Sequence, residues 1–151
     1  MTAMNDDSRA ALKQKLEDNR LKRERLMLEK EKERLAEEID GFSEKYRFAD
    51  ETESGRAESF IGSLRLDYPF CRYFEGENFP TAQGEMYLCF LMGSPELFRV
   101  CIYGRQEDLM SDIESFEVFS SYILLIGEDF ERYILYGNGK FTERRISEDS
   151  D

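Results

Sequence analysis

Two acidic pairs, Asp112/Glu114 and Glu128/Asp129, are placed where general acid–base chemistry could be imagined. With 33 Asp and Glu in 151 residues, such neighbours arise readily, and both pairs read as solvated surface. Histidine is absent, which removes the commonest general base and the commonest zinc ligand. Cys71, Cys89 and Cys101 lack the paired short spacing of a zinc site, and no motif supplies a base for a cysteine nucleophile. They read as small buried thiols. The stretch YGNGKF contains Gly-x-Gly-Lys, but a phosphate loop needs a longer glycine spacing and a Ser or Thr after the lysine, where Phe141 stands. It reads as a turn. The expectation is therefore a chain that is not an enzyme, with no catalytic, cofactor-binding or metal-binding residues.

Recognition chemistry is the alternative to catalysis. Tyr68, Phe70, Tyr73 and Phe74 cluster in a turn-rich segment beside Asp67, Glu75 and Glu77. They either cap a core or line an apolar groove with an acidic rim, which would take a basic or apolar peptide. Charge is unevenly spread. Residues 1–50 carry 12 Lys+Arg and 13 Asp+Glu, a net of −1; residues 51–151 carry the other 9 and 20, a net of −11. The acidic part repels phosphate backbones and anionic lipid, so neither nucleic acid nor membrane is an expected direct partner.

Ser8 to about Glu38 has neither Pro nor Gly and is dominated by Ala, Leu, Lys, Arg, Glu and Gln, the strong helix formers. Leu21, Leu28, Leu35 and Phe42 recur every seven residues, with Ile39 and Tyr46 at the second seam position. Upstream, that second position holds Asp18, Arg25 and Lys32, so the seam is polar near its start. A lone helix with so little apolar surface is marginal in water. The six seam residues therefore predict pairing with another helix, as a homodimer or a heterodimer. A DNA-gripping zipper needs a basic helix ahead of the leucines. Here Asp6, Asp7, Glu17 and Asp18 precede Leu21, and the bases alternate with glutamates inside the repeat.

These observations divide the chain into a disordered start (1–7), a coiled-coil helix (8–48), a linker (49–59), a globular head (60–146) and an acidic tail (147–151). In the head, Phe60 to Leu66 reads as a short strand. MYLCFLM, apolar on both faces, reads as a central strand. A turn at Gly93–Glu96 then leads into a second strand over 98–103. Leu109, Ile113 and Phe116 predict an amphipathic helix over 106–117. Residues 118–146 admit strands with a hairpin at Asn138-Gly139, or two short helices; the strand reading is preferred. The fold class is α+β, a coiled-coil helix followed by a small antiparallel-sheet head with one or two helices.

A parallel-helix stalk, a short linker and a head of strands followed by helix resembles the kinetochore coiled-coil proteins with RWD-type heads. That group takes in the small subunits of the outer-kinetochore microtubule-attachment complex, the monopolin subunits, and the C-terminal region of the mitotic checkpoint scaffold. Arg20-Leu21-Lys22 is similar to the Arg-Leu-Lys motif of the last, which contacts a checkpoint kinase. The resemblance implies a head that ends in helix, partner binding at Arg20, Leu21 and Lys22, and a place in chromosome segregation. No apolar run is long enough to span a bilayer, and the first residues lack the pattern of a signal peptide. The expectation is a soluble intracellular protein of nucleus or cytoplasm: a dimeric scaffold whose acidic head recruits protein partners. The rival readings are an acidic α+β binding module, such as a secretion-type chaperone, and a small ligand-binding domain with a helical appendage.

Overall fold

The computed structural model describes residues 6–64, 84–137 and 139–145. It is α+β: a long helix, α1 (Asp6–Glu38), leads into a six-stranded antiparallel sheet with short helices on both faces. The helix ends where Asp40 and Gly41 break the run of helix formers. Gly41 takes the left-handed conformation (φ 69°), which a glycine adopts at little cost. The chain reverses into the single turn α2 (Phe42–Lys45) and the edge strand β1 (Tyr46–Phe48).

The predicted coil over 8–48 therefore stops early, and the sheet begins inside it. The predicted linker over 49–59 is also overturned. Asp50 caps α3 (Glu51–Ser63): its carboxylate accepts from Glu53 N–H, and the Glu53 carboxylate accepts from Asp50 N–H. This reciprocal cap starts a helix in a segment whose composition suggests a loop. Phe60 lies in its last turns, so the strand expected over 60–66 is helix as far as Ser63.

Strand order is β1-β3-β2-β4-β5-β6, all antiparallel, with β2 (Glu85–Phe90), β3 (Cys101–Arg105), β4 (Tyr122–Gly127), β5 (Arg132–Gly137) and β6 (Lys140–Arg145). The second predicted strand starts three residues late. Ser94 caps a helical turn, α4 (Pro95–Phe98), that absorbs the first of them. The predicted helix over 106–117 forms as two pieces, α5 (Gln106–Ser111) and α6 (Ile113–Glu117), parted at Asp112. Between Tyr122 and Arg145 the chain forms the strands β4, β5 and β6, and β5 and β6 pair up to Gly137↔Lys140, with Gly139 at φ 75°. Among the described residues the last element of the head is thus a strand of a β5–β6 pair, where the family resemblance implied a helix.

Alternation along the strands gives the sheet two buried faces. Met86, Leu88, Phe90, Ile123, Leu125 and Ile134 point to one, where Leu109, Ile113 and Phe116 of α5 and α6 join them. Tyr87, Cys89, Leu124, Ile126 and Leu135 point to the other, under Ala57 and Phe60 of α3. The short helices α5 and α6 leave part of the first face for another element to cover. The end of α1 and the segment through α2 into β1 supply it: Leu35, Ile39, Phe42 and Tyr46 are 0, 2, 6 and 6 % exposed in the same core.

Candidate interaction site

The six seam residues part company in the structure. Leu35, Ile39, Phe42 and Tyr46 are interior residues of their own head and are not available to a second helix. Their spacing is that of a helix face, which serves an intramolecular sheet as well as a partner coil. Leu28 is half-buried against the same core, and Leu21 is 45 % exposed. Lys32, a polar residue of the second seam position, lays its ammonium 5.3 Å from the Phe48 ring centroid.

Tyr46 locks this junction. It pairs with Gly104 across β1 and β3, and a Cβ at Gly104 would collide with its ring. Its hydroxyl donates to Asp112 Oδ2 at 2.5 Å, and Lys45 Nζ lies 2.5 Å from the same oxygen. Burial alone would raise the Asp112 carboxyl, but the hydrogen bonds from Lys45 and Tyr46 outweigh it and hold it below its ordinary range. Burial, and then the Asp112 carboxylate, push the Tyr46 hydroxyl up. Asp112 is therefore a structural anchor between the start of the sheet and the α5–α6 junction. Asp129 has a local task, accepting from Glu131 N–H at 3.0 Å in the β4–β5 turn.

A second lock ties β1 to α3. Arg47 grips Glu53 with both guanidinium nitrogens, at 2.7 and 2.8 Å, and Tyr87 OH donates to Glu53 at 2.7 Å. With Arg47 beside it, and despite some burial, the Glu53 carboxyl is held down to about 2. The Arg47 guanidinium also lies 4.2 Å from the Tyr103 ring centroid.

Between α1 and α3 runs a groove of about 490 Å³. Leu28, Ala49, Val100, Cys89 and Cys101 line it with Glu24, Arg25, Glu51, Glu58 and Arg99. The two thiols face each other across β2 and β3, Sγ to Sγ 3.8 Å. Ala49 N–H donates to Cys101 O, so the backbone groups of Cys101 face β1. Toward β2, Cys89–Cys101 is thus a non-hydrogen-bonded pair, the kind with closer side chains. Its neighbour Cys101 and burial both raise the Cys89 thiol. Among the described residues no group of three or more His, Cys, Asp or Glu is placed to hold a metal ion.

From about Leu28 back to its start, α1 is an arm. All its residues from Asp7 to Arg23 are exposed. Arg20, Leu21 and Lys22, the tripeptide singled out above, lie on it; Arg20 is ion-paired to Glu17 and Glu24. The arm also exposes Leu12 (48 %), Leu16 (60 %), Leu26 (63 %) and Met27 (45 %). Reading the chain along the Leu21–Leu28–Leu35 register alone misses these. Their own four-three spacing, continued through Asn19 and Arg23, is the signal that marks them. Tyr68, Phe70, Tyr73 and Phe74 lie outside the described residues, as does Cys71.

No family model, curated protein or solved structure matches this chain. Among the described residues no helix is long and apolar enough to cross a membrane.

Proposed function

We propose that this chain is a non-enzymatic interaction scaffold that associates with a partner through the arm of α1 and carries its acidic head alongside. One observation supports this above the rest: Leu12, Leu16, Leu26 and Met27 stand exposed on α1, while Glu24 and Leu28 on its other side already meet the head. Helices that short of apolar packing are stabilised mainly by burying such a stripe on something else. The chromosome-segregation setting that the resemblance implied has the stalk-and-head layout and Arg20-Leu21-Lys22 in its favour, and the terminal hairpin against it. The scaffold reading stands without that setting.

The test is affinity purification of the tagged full chain, beside its L16E/L26E variant, from cells that express it. Proteins recovered with the first and lost with the second support the reading. Identical recoveries overturn it. Point substitutions are used because a deletion reaching Leu35, Ile39 and Phe42 would remove part of the head's core. A second reading, a small ligand bound in the α1–α3 groove, is favoured by its volume, which lies in the range of ligand sites. A rise in melting temperature with any nucleotide or metabolite would support it.

A further inference from the structure

Along the arm, charge is sorted by face. Projected at 3.6 residues per turn, one half of the helix between Ser8 and Lys30 continues the line of Leu28 and Leu35 toward the head. Of the acids of this stretch, Glu17 and Glu24 fall on that half and Asp18 on its border, as does Asp7 just before it. The opposite half carries Lys15, Lys22, Arg23 and Lys30, with Arg9 at its border and Glu29 as its one acid, together with Leu12, Leu16, Leu26 and Met27. Residues 7–30 hold 8 Lys+Arg and 5 Asp+Glu, a net of +3, in a chain whose total is −12. The remainder is therefore −15 (−12 − 3).

This outward face is linear. Leu12, Leu16, Asn19, Arg23, Leu26 and Lys30 follow one another at spacings of four and three, the spacing of a seam built for another helix. Leu12 to Met27 spans about 22 Å. A second copy of the chain does not suit it. In parallel register Arg23 would meet Arg23 and Lys15 would meet Arg20. In the antiparallel register that sets Arg23 against Asn19, only Leu16 and Leu26 meet apolar on apolar, Lys30 faces Leu12, and Arg20 meets Arg20 and Lys22 meets Lys22, offset at the flank only by Lys15 against Glu29. Either arrangement sets like charges at the flanks of a seam that contains only three large apolar residues, Leu12, Leu16 and Leu26. An anionic membrane does not suit it either: Asn19 and Arg23 interrupt the apolar stripe, and the rest of the chain is repelled by the lipid. Phosphate backbones would find leucines where they need cations.

We propose that the outward face of the α1 arm docks an acidic amphipathic helix of a different protein. Leucines of the partner pack on Leu12, Leu16, Leu26 and Met27, and its carboxylates face Lys15, Lys22, Arg23 and Lys30. Arg23, in the middle of the stripe, takes a carboxylate in the seam and fixes register, as single polar seam residues do. The proposal rests on the scaffold reading and narrows its partner.

The test uses the full chain and two synthetic helical peptides with the same leucine seam. One carries Glu at every flanking position and opposite Arg23; the other carries Lys there. The expected result is that the Glu peptide binds at physiological salt roughly tenfold or more tighter than the Lys peptide. K15E/R23E reverses the preference, and L16E/L26E abolishes binding while the melting temperature stays at the wild-type value. Equal binding of the two peptides, or no binding, overturns the proposal. So does self-association of the wild type that L16E/L26E removes, or sedimentation with phosphatidylserine vesicles. If the purification described above yields arm-dependent partners while the Glu peptide fails, the scaffold reading survives and the acidic partner does not. If no recovered protein depends on the arm, the scaffold reading itself fails.

Discussion

Replacing Leu35 and Leu16 by alanine, one at a time, separates the two halves of α1. Leu35 is completely buried among the sheet and the helices that cover it. Truncating such a leucine removes its transfer free energy and leaves a cavity, a loss of about 3 kcal/mol within the observed range for buried leucines. For a chain of this size that lowers the melting temperature by about 6–12 °C. Leu16 is 60 % exposed, and alanine is the stronger helix former. Its replacement changes stability by no more than about 0.5 kcal/mol, about 2 °C at most. The assay is thermal unfolding followed by circular dichroism, at low and high chain concentration. The Leu35 loss should not depend on concentration, because the contacts are made within one chain. Similar, concentration-dependent losses for the two variants would refute the reasoning. They would mean that the seven-residue repeat is one continuous intermolecular seam.

Glu53 gives the chain a pH dependence. Its carboxyl is held down to about 2 in the folded state against an ordinary 4.5, so its stabilising contribution is complete above pH 4.5 and is lost as pH falls toward 2. E53Q should melt below the wild type at neutral pH, with the gap closing across that acidic window in a pH series of melts. G104A sets a methyl group against the Tyr46 ring and should cost about 1–3 kcal/mol in denaturant unfolding, with Y46A/G104A less than additive. In a C71S variant, Cys89 and Cys101, 3 and 5 % exposed, should resist a thiol-titrating disulfide reagent in the native chain and give two equivalents only on denaturation.

Strength of local signal decided what could be read from the chain. MYLCFLM is apolar at every position because β2 is central and buried on both faces, and Leu109, Ile113 and Phe116 show the helical period of a face laid on a sheet. The strands after Tyr122 are rich in β-branched and aromatic residues, and the Asn138-Gly139 pair in the sequence tips the reading toward a hairpin without excluding helix. The α3 helix was hidden because Glu51–Ser63 holds two glycines and few apolar residues; its Asp50–Glu53 cap was the one clear local sign. The seam was legible as a helix face but not in its destination. A seven-residue repeat specifies that a stripe is buried, and the fold specifies against what. Only the reversal at Gly41 and the uncovered part of the sheet turn Leu35, Ile39, Phe42 and Tyr46 inward. The charge sorting of the arm becomes visible once the head-facing side of α1 is known.

Hydrogen exchange along α1, resolved by peptide in the isolated chain, addresses the division of the helix most directly. Amides from about residue 31 to 38 should exchange only with the slow unfolding of the head, and those from 8 to 27 faster by orders of magnitude, at any chain concentration. Slow exchange along the whole helix, or protection of 8–27 that rises with concentration, would show the arm already covered by its own head or by a second copy.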